Sequence, residues 1–500
     1  MKNISFIPFL SCLIGVSLAS GCQEAEQPDV EKTSDILLGV RASCLDFAEM
    51  GQEQEAALSG FSAGDTIGVF GLDKDGSVLS GCRNAAFVYD GSSEWKGNVY
   101  YYEDAVYFAY SPYSKSLSPL KSVHEIEEAF ADEVRSTTDQ STFEAFRSCD
   151  FMAAENVVPS DGVLDFRMSR RMSMVEIAFP EIEYRTSADS EPYYSASIGS
   201  LAFEVNDIAV KPYMADKGVY RYIVVPENNL IYGEYKVAGD WADYGEELVF
   251  IPGKYKRIDV VPDNTVVIHD LSAGDFFLKS GAILPKDTDL TASEQEECIG
   301  VVFWTGDPTV SDATLKKDFP GCTHGLVVAL DEIASNWSAE LNVRINDWLK
   351  ANAPGYLSIN TEGDGANTDK AVGYNNTMAI DHYNNNGLAE SADVAVAVEK
   401  TMEYRSSNSL ECDASGWYLP SIKELCLLYK GNTNIWTAAN NVAEEINASI
   451  EKVGGATVLT GDYWSSTEAG TGSAHRIEAS GKVTGTRMFN SYKVRPVTAF

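Results

Sequence analysis

Two short stretches carry the side chains best suited to recognition chemistry. Gly416-Trp417-Tyr418-Leu419-Pro420 and Tyr463-Trp464-Ser465-Ser466-Thr467-Glu468 set aromatic rings beside hydroxyls and a carboxylate. Such rings stack on sugar rings, while hydroxyls and carboxylates read the ring substituents. Trp417, Tyr418, Tyr463, Trp464 and Glu468 therefore form a candidate ligand face. The competing reading makes Trp417 and Trp464 core residues that pin a loop-rich fold, with Arg495 satisfying buried carbonyls or Glu468. Bond-making chemistry has no comparable constellation. His124, His269, His324, His382 and His475 fit no metal motif, no G-x-S-x-G or Walker loop occurs, and Asp381-His382 lacks a placed nucleophile. These residues point to binding and away from an enzyme.

The N-terminus carries a different signal. Lys2 and the apolar run Ile4–Ala19 make a signal-peptide pattern, and Ala19-Ser20-Gly21-Cys22 resembles a bacterial lipobox with its leucine, Leu18, one place early. Cys22 is then the expected first mature residue, acylated (palmitate-type chains) on its thiol and its amine, and several chains anchor where one would not. An ordinary cleaved signal with a chance cysteine is the alternative. Gln23 in place of Asp favours the outer membrane, and the acidic run Glu24, Glu26, Asp29, Glu31 resembles a surface-export tag of anaerobic gut and oral bacteria. Setting aside Cys12 and Cys22, seven cysteines remain, an odd number with no C-x-x-C spacing. Cys298–Cys322 and Cys412–Cys426 are candidate bridges; buried thiols are the competing expectation.

The elements that must position these groups are mostly strands. A chain of 500 residues exceeds one hydrophobic core, so roughly two to four domains are expected. Its 25 tyrosines and 21 phenylalanines lean toward sheet. The net charge of -36 excludes nucleic acid and an anionic lipid surface as partners. From Ile36, short apolar runs alternate with turns: "GDTIGVFGL", "NAAFVY" before "DGSSEW", and "AVYFAY" are hairpin material for a sandwich or barrel. Ser122–Glu125 has capping-box spacing ahead of a helix. The polar stretch 180–200 is a candidate domain boundary before a second set of strands that ends near 262. After about 270 the pattern turns mixed. "IGVVFW" and "GLVVAL" read as buried strands, and helices are predicted around 391–404 and 437–453. A third helix is predicted at "SIKELCLLYK", entered through the capping box Ser421–Glu424.

The lipobox, "VRAS" (Val40–Ser43), "GDTIGVF", the "FVYDG…EW" hairpin and "LDFRMSRRMSMVEIAF", taken in order, resemble the fimbrillin family, lipoprotein precursors of type V pili. The likeness runs to about residue 265. The last region is similar to a C-type-lectin-like domain in "IGVVFWTGD", "HGLVVALDE", "GWYLPSIKELCLLY", "YWSSTE" and "VRPVTAF". The resemblance implies a mainly β chain. A signal peptide (1–21) and acidic tether (22–35) lead into two tandem Greek-key, transthyretin-like β-sandwiches (36–182 and 183–268). A lectin-like α+β domain (269–500) follows.

It also implies a function. Fimbrillin precursors are cut after an arginine downstream of the lipid, here Arg41 before Ala42, and the opened groove accepts a strand from the next pilus subunit. An uncut, self-complemented first strand is the alternative. "VRPVTAF" is committed to a folded domain and is a poor strand donor, which suits a terminal, tip subunit. The implied location is the outer membrane surface through the Cys22 lipid, or a fimbrium; the implied partners are other pilus subunits and a glycan or host surface ligand. A non-polymerising surface lipoprotein that captures glycans or host protein is the rival. No cofactor beyond the lipid is implied: Asn360–Lys370 offers calcium-type oxygens without EF-hand spacing, and the calcium triplets of sugar-binding C-type lectins are missing, since Gln27-Pro28-Asp29 lies in the tether.

Overall fold

The computed structural model describes residues 36–51, 58–92, 94–120, 122–237, 240–338, 344–360, 369–386, 394–410, 412–431 and 442–500. The leader, the tether with Cys22, and most of Asn360–Lys370 lie outside the described residues. The chain is mainly β, and most of its helix lies beyond residue 290. Packing divides it into two compact units. The first takes the described residues through Asp46, those between 58 and 133, and Asp150–Arg171. The second takes Phe47–Gly51, Val134–Cys149 and Met172–Phe500.

The first unit is one strand ladder in the order Leu58–Ser59, Gly39–Leu45, Val163–Arg170, Met152–Val157, Val106–Ser111, Thr66–Leu72, Ala85–Tyr89, Trp95–Lys96. In Val163–Arg170 the two-residue period of a strand sorts the side chains: Leu164, Phe166 and Met168 are buried, while Asp165 and Arg167 are exposed. Thr66–Leu72 is buried on both faces. Ile67 and Val69 join the inner core with Phe87, Tyr107 and Leu164. On the other face Phe70 meets Phe108 and Tyr110. The helix Val123–Ser136 covers that face with Ile126 and with Phe130, which stacks on Phe151 at 4.3 Å. Ser122 does cap this helix, accepting from Glu125 N at 3.2 Å.

The expected boundary at 182/183 falls eleven residues earlier, between Arg171 and Met172. "VLDFRMSRRMSMVEIAF" reads as one strand region, yet the ladder breaks at Arg171. Ser173–Ala178 pairs instead with Val219–Val224 and, in parallel, with Lys254–Asp259, in the second unit. Nor is 180–200 a linker: Glu181–Arg185 pairs with Tyr194–Ser197. Phe179 shows why these residues stay together, since the rings of Phe203, Tyr220, Tyr235 and Tyr244 surround it at 5.5–6.2 Å, edge on.

The expected break at 268/269 also lies inside continuous packing. One cluster of buried apolar side chains runs from Val175 through Tyr184 and Phe250 to Phe276, Val301, Leu425 and Phe500, and Tyr194 packs edge-on against Phe500 at 5.6 Å. Beyond it two five-stranded sheets form. One is Ile283–Leu284, Phe276–Leu278, Cys298–Thr305, Gly325–Ala329, Val497–Ala499; the other is Ile333–Asn336, Ser491–Val494, Tyr463–Gly470, Ser473–Ile477, Val483–Arg487. The expected helices occur at Val396–Ser407, Ile422–Lys430 and Ala443–Lys452. In the last, Ile446, Ile450 and Val453 are buried on one face. The helices Phe143–Cys149, Ala292–Glu297, Ala313–Asp318, Ile345–Asn352 and Gly373–Asn386 add to these. Cys298, Cys322 and Cys426 are buried thiols, so neither candidate bridge forms. Burial pushes the first two up to about 12 and Cys426 to about 11, far from the reactive range.

Gly373 starts its helix against the Ser421 capping box so closely that a Cβ there would meet Glu424 Oε2, the Tyr418 ring and the Ser421 backbone nitrogen inside van der Waals distance. Replacing Gly373 with Ala is expected to lower the unfolding free energy by about 1–3 kcal/mol, as overpacking of a filled core does. Denaturant midpoints of the two proteins check it.

Candidate functional site

The first strand and its surroundings form one candidate site. Among the strand pairings of the first unit, Gly39–Leu45 with Val163–Arg170 is parallel, from Gly39 opposite Val163 to Cys44 opposite Met168; the other pairings are antiparallel. Among the described residues, its second edge meets Leu58–Ser59 at Cys44 and Leu45. Just upstream the chain crosses to residues 99–101: Leu38 N donates to Val99 O at 2.9 Å and Tyr101 N to Ile36 O at 3.0 Å. Leu38 (5% exposed) and Val40 (8%) point into the core that holds Val99, Leu164 and Phe166, whereas Ile36 (58%) and Leu37 (53%) face solvent. Arg41 lies opposite Asp165 and is exposed; Ala42 is half-buried and turned inward. Arg41 is thus an extended, exposed residue, and the segment before it packs Leu38 and Val40 into the core.

The candidate ligand face is not a face. Trp417 is 1% exposed, and Tyr418, Tyr463, Trp464 and Glu468 are 0% exposed. Tyr463–Gly470 is buried on both sides over its first six residues, and its polar groups replace water for neighbouring backbone. Thr467 Oγ1 accepts from Ile422 N at 3.0 Å, at the start of the helix Ile422–Lys430. Glu468 accepts from Ile345 N at 2.8 Å and Asn346 N at 3.3 Å, at the start of Ile345–Asn352, with Arg344 at 3.9 Å. Both helices therefore begin on side chains of one strand, which satisfies amide groups that burial would otherwise leave orphaned. Trp464 Nε1 donates to Ser335 O, and Tyr463 OH donates to Glu332 at 2.7 Å. Tyr418 exchanges two backbone bonds with Val497 and donates its hydroxyl to Glu424 at 3.0 Å. Arg495 is fully buried, and its three side-chain nitrogens have no hydrogen-bond partner among the described residues, Glu468 included.

Two histidines are structural. His324 Nε2 sits 2.8 Å from Tyr193 O, with its ring stacked near Phe500, and His269 pairs with the buried Asp275 at 2.8 Å. Among the described residues no cluster of three or more His, Cys, Asp or Glu is placed to hold a metal ion. Solvent-reaching polar chemistry of this region lies on the second half of Gly373–Asn386, at the half-buried Asp381 and His382, which the sequence offered only as an isolated dipeptide, and at the exposed Asn385 and Asn386. Five asparagines and one His in fourteen residues read as loop by propensity, which hid the helix that presents them.

Comparison with known proteins bears on the same two regions. Residues 55–211 match the family model described as Fimbrillin-like. Over 462 residues, 83% of each chain, this chain is 28% identical to the putative fimbrium tip subunit Fim1C of Bacteroides ovatus. A crystal structure of a fimbrial protein from Bacteroides ovatus, 24% identical, covers 93% of this chain and 99% of its own with a TM-score of 0.54, so the fold is shared over nearly the whole length.

Two buried carboxyls make the C-terminal region pH-sensitive. Burial lifts Glu424 to about 7 against its bonds from Ser421, and lifts Glu468 to about 7 against its bonds from Ile345 and Asn346. Between the unfolded value of 4.5 and about 7 the folded state keeps protons that the unfolded state has released, so these groups lower stability as pH rises through that window. The Glu424→Gln protein should show a shallower fall in its urea midpoint between pH 4.5 and 7 than the parent. Equal slopes would remove Glu424 from this account.

Proposed function

We propose that this chain is a surface subunit of a fimbrium that receives a neighbour's strand in its first unit and presents its C-terminal region as the binding end. The observation that carries the reading is the first strand: a lone parallel addition with one largely open edge, Leu38 and Val40 filling a core slot, and Arg41 exposed beside it. Cutting at Arg41 releases the segment that fills the slot and frees the edge at Val163–Asp165, which that segment had paired. A donated strand supplies both the hydrogen bonds and the apolar side chains. The likeness of residues 55–211 to fimbrillins and of the chain to a putative tip subunit supports the same reading.

A terminal position follows from the last strand. Val497–Ala499 pairs with Gly325–Ala329 on one edge, and its other edge is held by Tyr418 and Ser415. Phe500 N bonds Gly325 O, and the Phe500 ring is 1% exposed. A strand tied in on both sides is a poor donor, which supports a terminal place for the subunit. Acylation of Cys22 would hold the precursor on the outer membrane before assembly, and a lectin-like arrangement of the last region would give it a binding end. The rival, a lipoprotein that never polymerises, is favoured by one feature: the first strand is already fully paired from Gly39 to Cys44 with Val163–Met168.

Mass spectrometry of the native protein separates the two. In sheared fimbriae the chain is expected to begin at Ala42, and the Arg41→Ala protein is expected to stay membrane-bound and absent from fimbriae. A fimbrial chain that begins at Cys22, or normal incorporation of the Arg41→Ala protein, would overturn the assembly reading.

A further inference from the structure

With the expected ligand face buried, the surface of the C-terminal region offers one cleft whose chemistry suits a binding end. It has a volume of about 640 Å³ and lies between the end of Ala313–Asp318, the end of Ile345–Asn352 with the turn through Tyr356, and the outer half of Gly373–Asn386. That volume is in the range of about 300–1,000 Å³ found for small-molecule sites. Its wall is rich in oxygen acceptors, with one cation among its lining residues, Lys317, paired to Asp318 at 3.6 Å. Asn352 Nδ2 donates to Trp348 O at 2.9 Å, Asn385 Nδ2 to Asp381 O at 3.0 Å, and Asn386 Nδ2 to His382 O at 3.0 Å. Each amide nitrogen is thereby tethered to the carbonyl one turn back, which leaves the side-chain oxygen as an acceptor. Asp318 and Asp381 add carboxylates, and both lie near enough to Tyr356 to raise its phenol, after the larger effect of burial. Two helix C-termini, at Asp318 and Asn352, add the negative end of the helix dipole.

An aromatic support completes the cleft. The His382 ring stands between Tyr356 at 5.9 Å and Trp348 at 6.0 Å, and Trp348 is braced in turn by Tyr383 at 5.3 Å. Tyr356 is half-buried, held in place with part of its ring open to the cleft.

We propose that this cleft binds a neutral saccharide, with the Tyr356 ring as the stacking platform and the oriented amide and carboxylate oxygens accepting from its hydroxyls. A ligand rich in hydroxyl donors matches a wall rich in acceptors, and an aromatic platform matches the C–H face of a pyranose. Sialylated or sulfated sugars are disfavoured, because Lys317, the cation of the lining, is already paired to Asp318, Asp381 adds a second carboxylate, and the chain carries a net charge of -36. The cleft does not need a metal to hold the sugar. The inference rests on reading this region as the binding end, yet is tested apart from strand exchange.

Gly355 supplies a clean probe: it lines the cleft and an added Cβ there meets open space, so Gly355→Trp fills the site without disturbing packing. The full chain is applied, with EDTA present, to an array of neutral oligosaccharides of roughly two to four units, a length that fits such a cleft, beside their sialylated and sulfated counterparts and a Lys-rich peptide. The expected result is capture by a neutral member that survives EDTA. By calorimetry with that oligosaccharide, Tyr356→Ala should weaken affinity by about tenfold, and Gly355→Trp should abolish binding with an unchanged thermal midpoint. A silent array, preference for acidic sugars or the peptide, loss of binding in EDTA, or full binding by Gly355→Trp each overturns the proposal. A silent array with incorporation at Ala42 intact would remove the saccharide site and leave the assembly reading standing.

Discussion

The parallel pairing of Gly39–Leu45 with Val163–Arg170 is the constraint on which the first unit depends. A strand laid parallel to its neighbour cannot be joined to it by a short hairpin, and here the intervening chain is most of the unit. The pairing therefore closes the ladder last in space although it comes first in sequence. Leu38 and Val40 bury apolar surface in the same core as Phe166 and Val99, each contributing on the order of 1.5–3 kcal/mol before the entropy of ordering the segment is subtracted. The contribution is substantial and is concentrated in a few residues beside an exposed arginine. Stability and exchangeability thus reside in the same short segment.

The C-terminal region depends on a different rule: polar groups taken out of water must find partners. Tyr463–Gly470 answers it by sending Thr467 and Glu468 to the first turns of two helices, while Ser421 and Glu424 close a capping box in the core. The arrangement makes the helix starts rigid and ties their positions to one strand. The surface cleft inherits that rigidity, since Ile345–Asn352, one of its walls, begins on Glu468. The carboxyls that do this work sit near neutrality in their proton affinity, because a fully buried charge is costly unless the site is richly bonded.

Local signals were legible in the sequence. The alternation of Leu164, Phe166 and Met168 gave a strand, Ser421–Glu424 gave a capped helix, and Ile446, Ile450 and Val453 gave a buried face, because each depends on neighbours a few residues away. Arg41 as an exposed strand residue was legible for the same reason. What failed was long-range. "YWSSTE" reads as a recognition surface by residue type, and nothing near it in sequence reveals that its hydroxyl and carboxylate are claimed by amides 45 and 123 residues distant. The break at Arg171 is marked only by the pair Arg170-Arg171 between two apolar stretches, without Gly, Pro or other linker chemistry. The Asn-rich helix was hidden by propensity, and with it the cleft, since tertiary packing of Tyr374, Ile380 and Tyr383 overrides the weak preference of the residues between them.

The direction of the first pairing has a mechanical side. A pull that enters at Ile36 and leaves through Arg171 runs along two adjacent strands of the same sense. It therefore loads the bonds from Gly39 to Cys44 together, in shear, instead of opening them one after another as a peeling force would. A molecule exposed to flow would hold against traction along this line and yield readily to a hand that lifts the strand from its end.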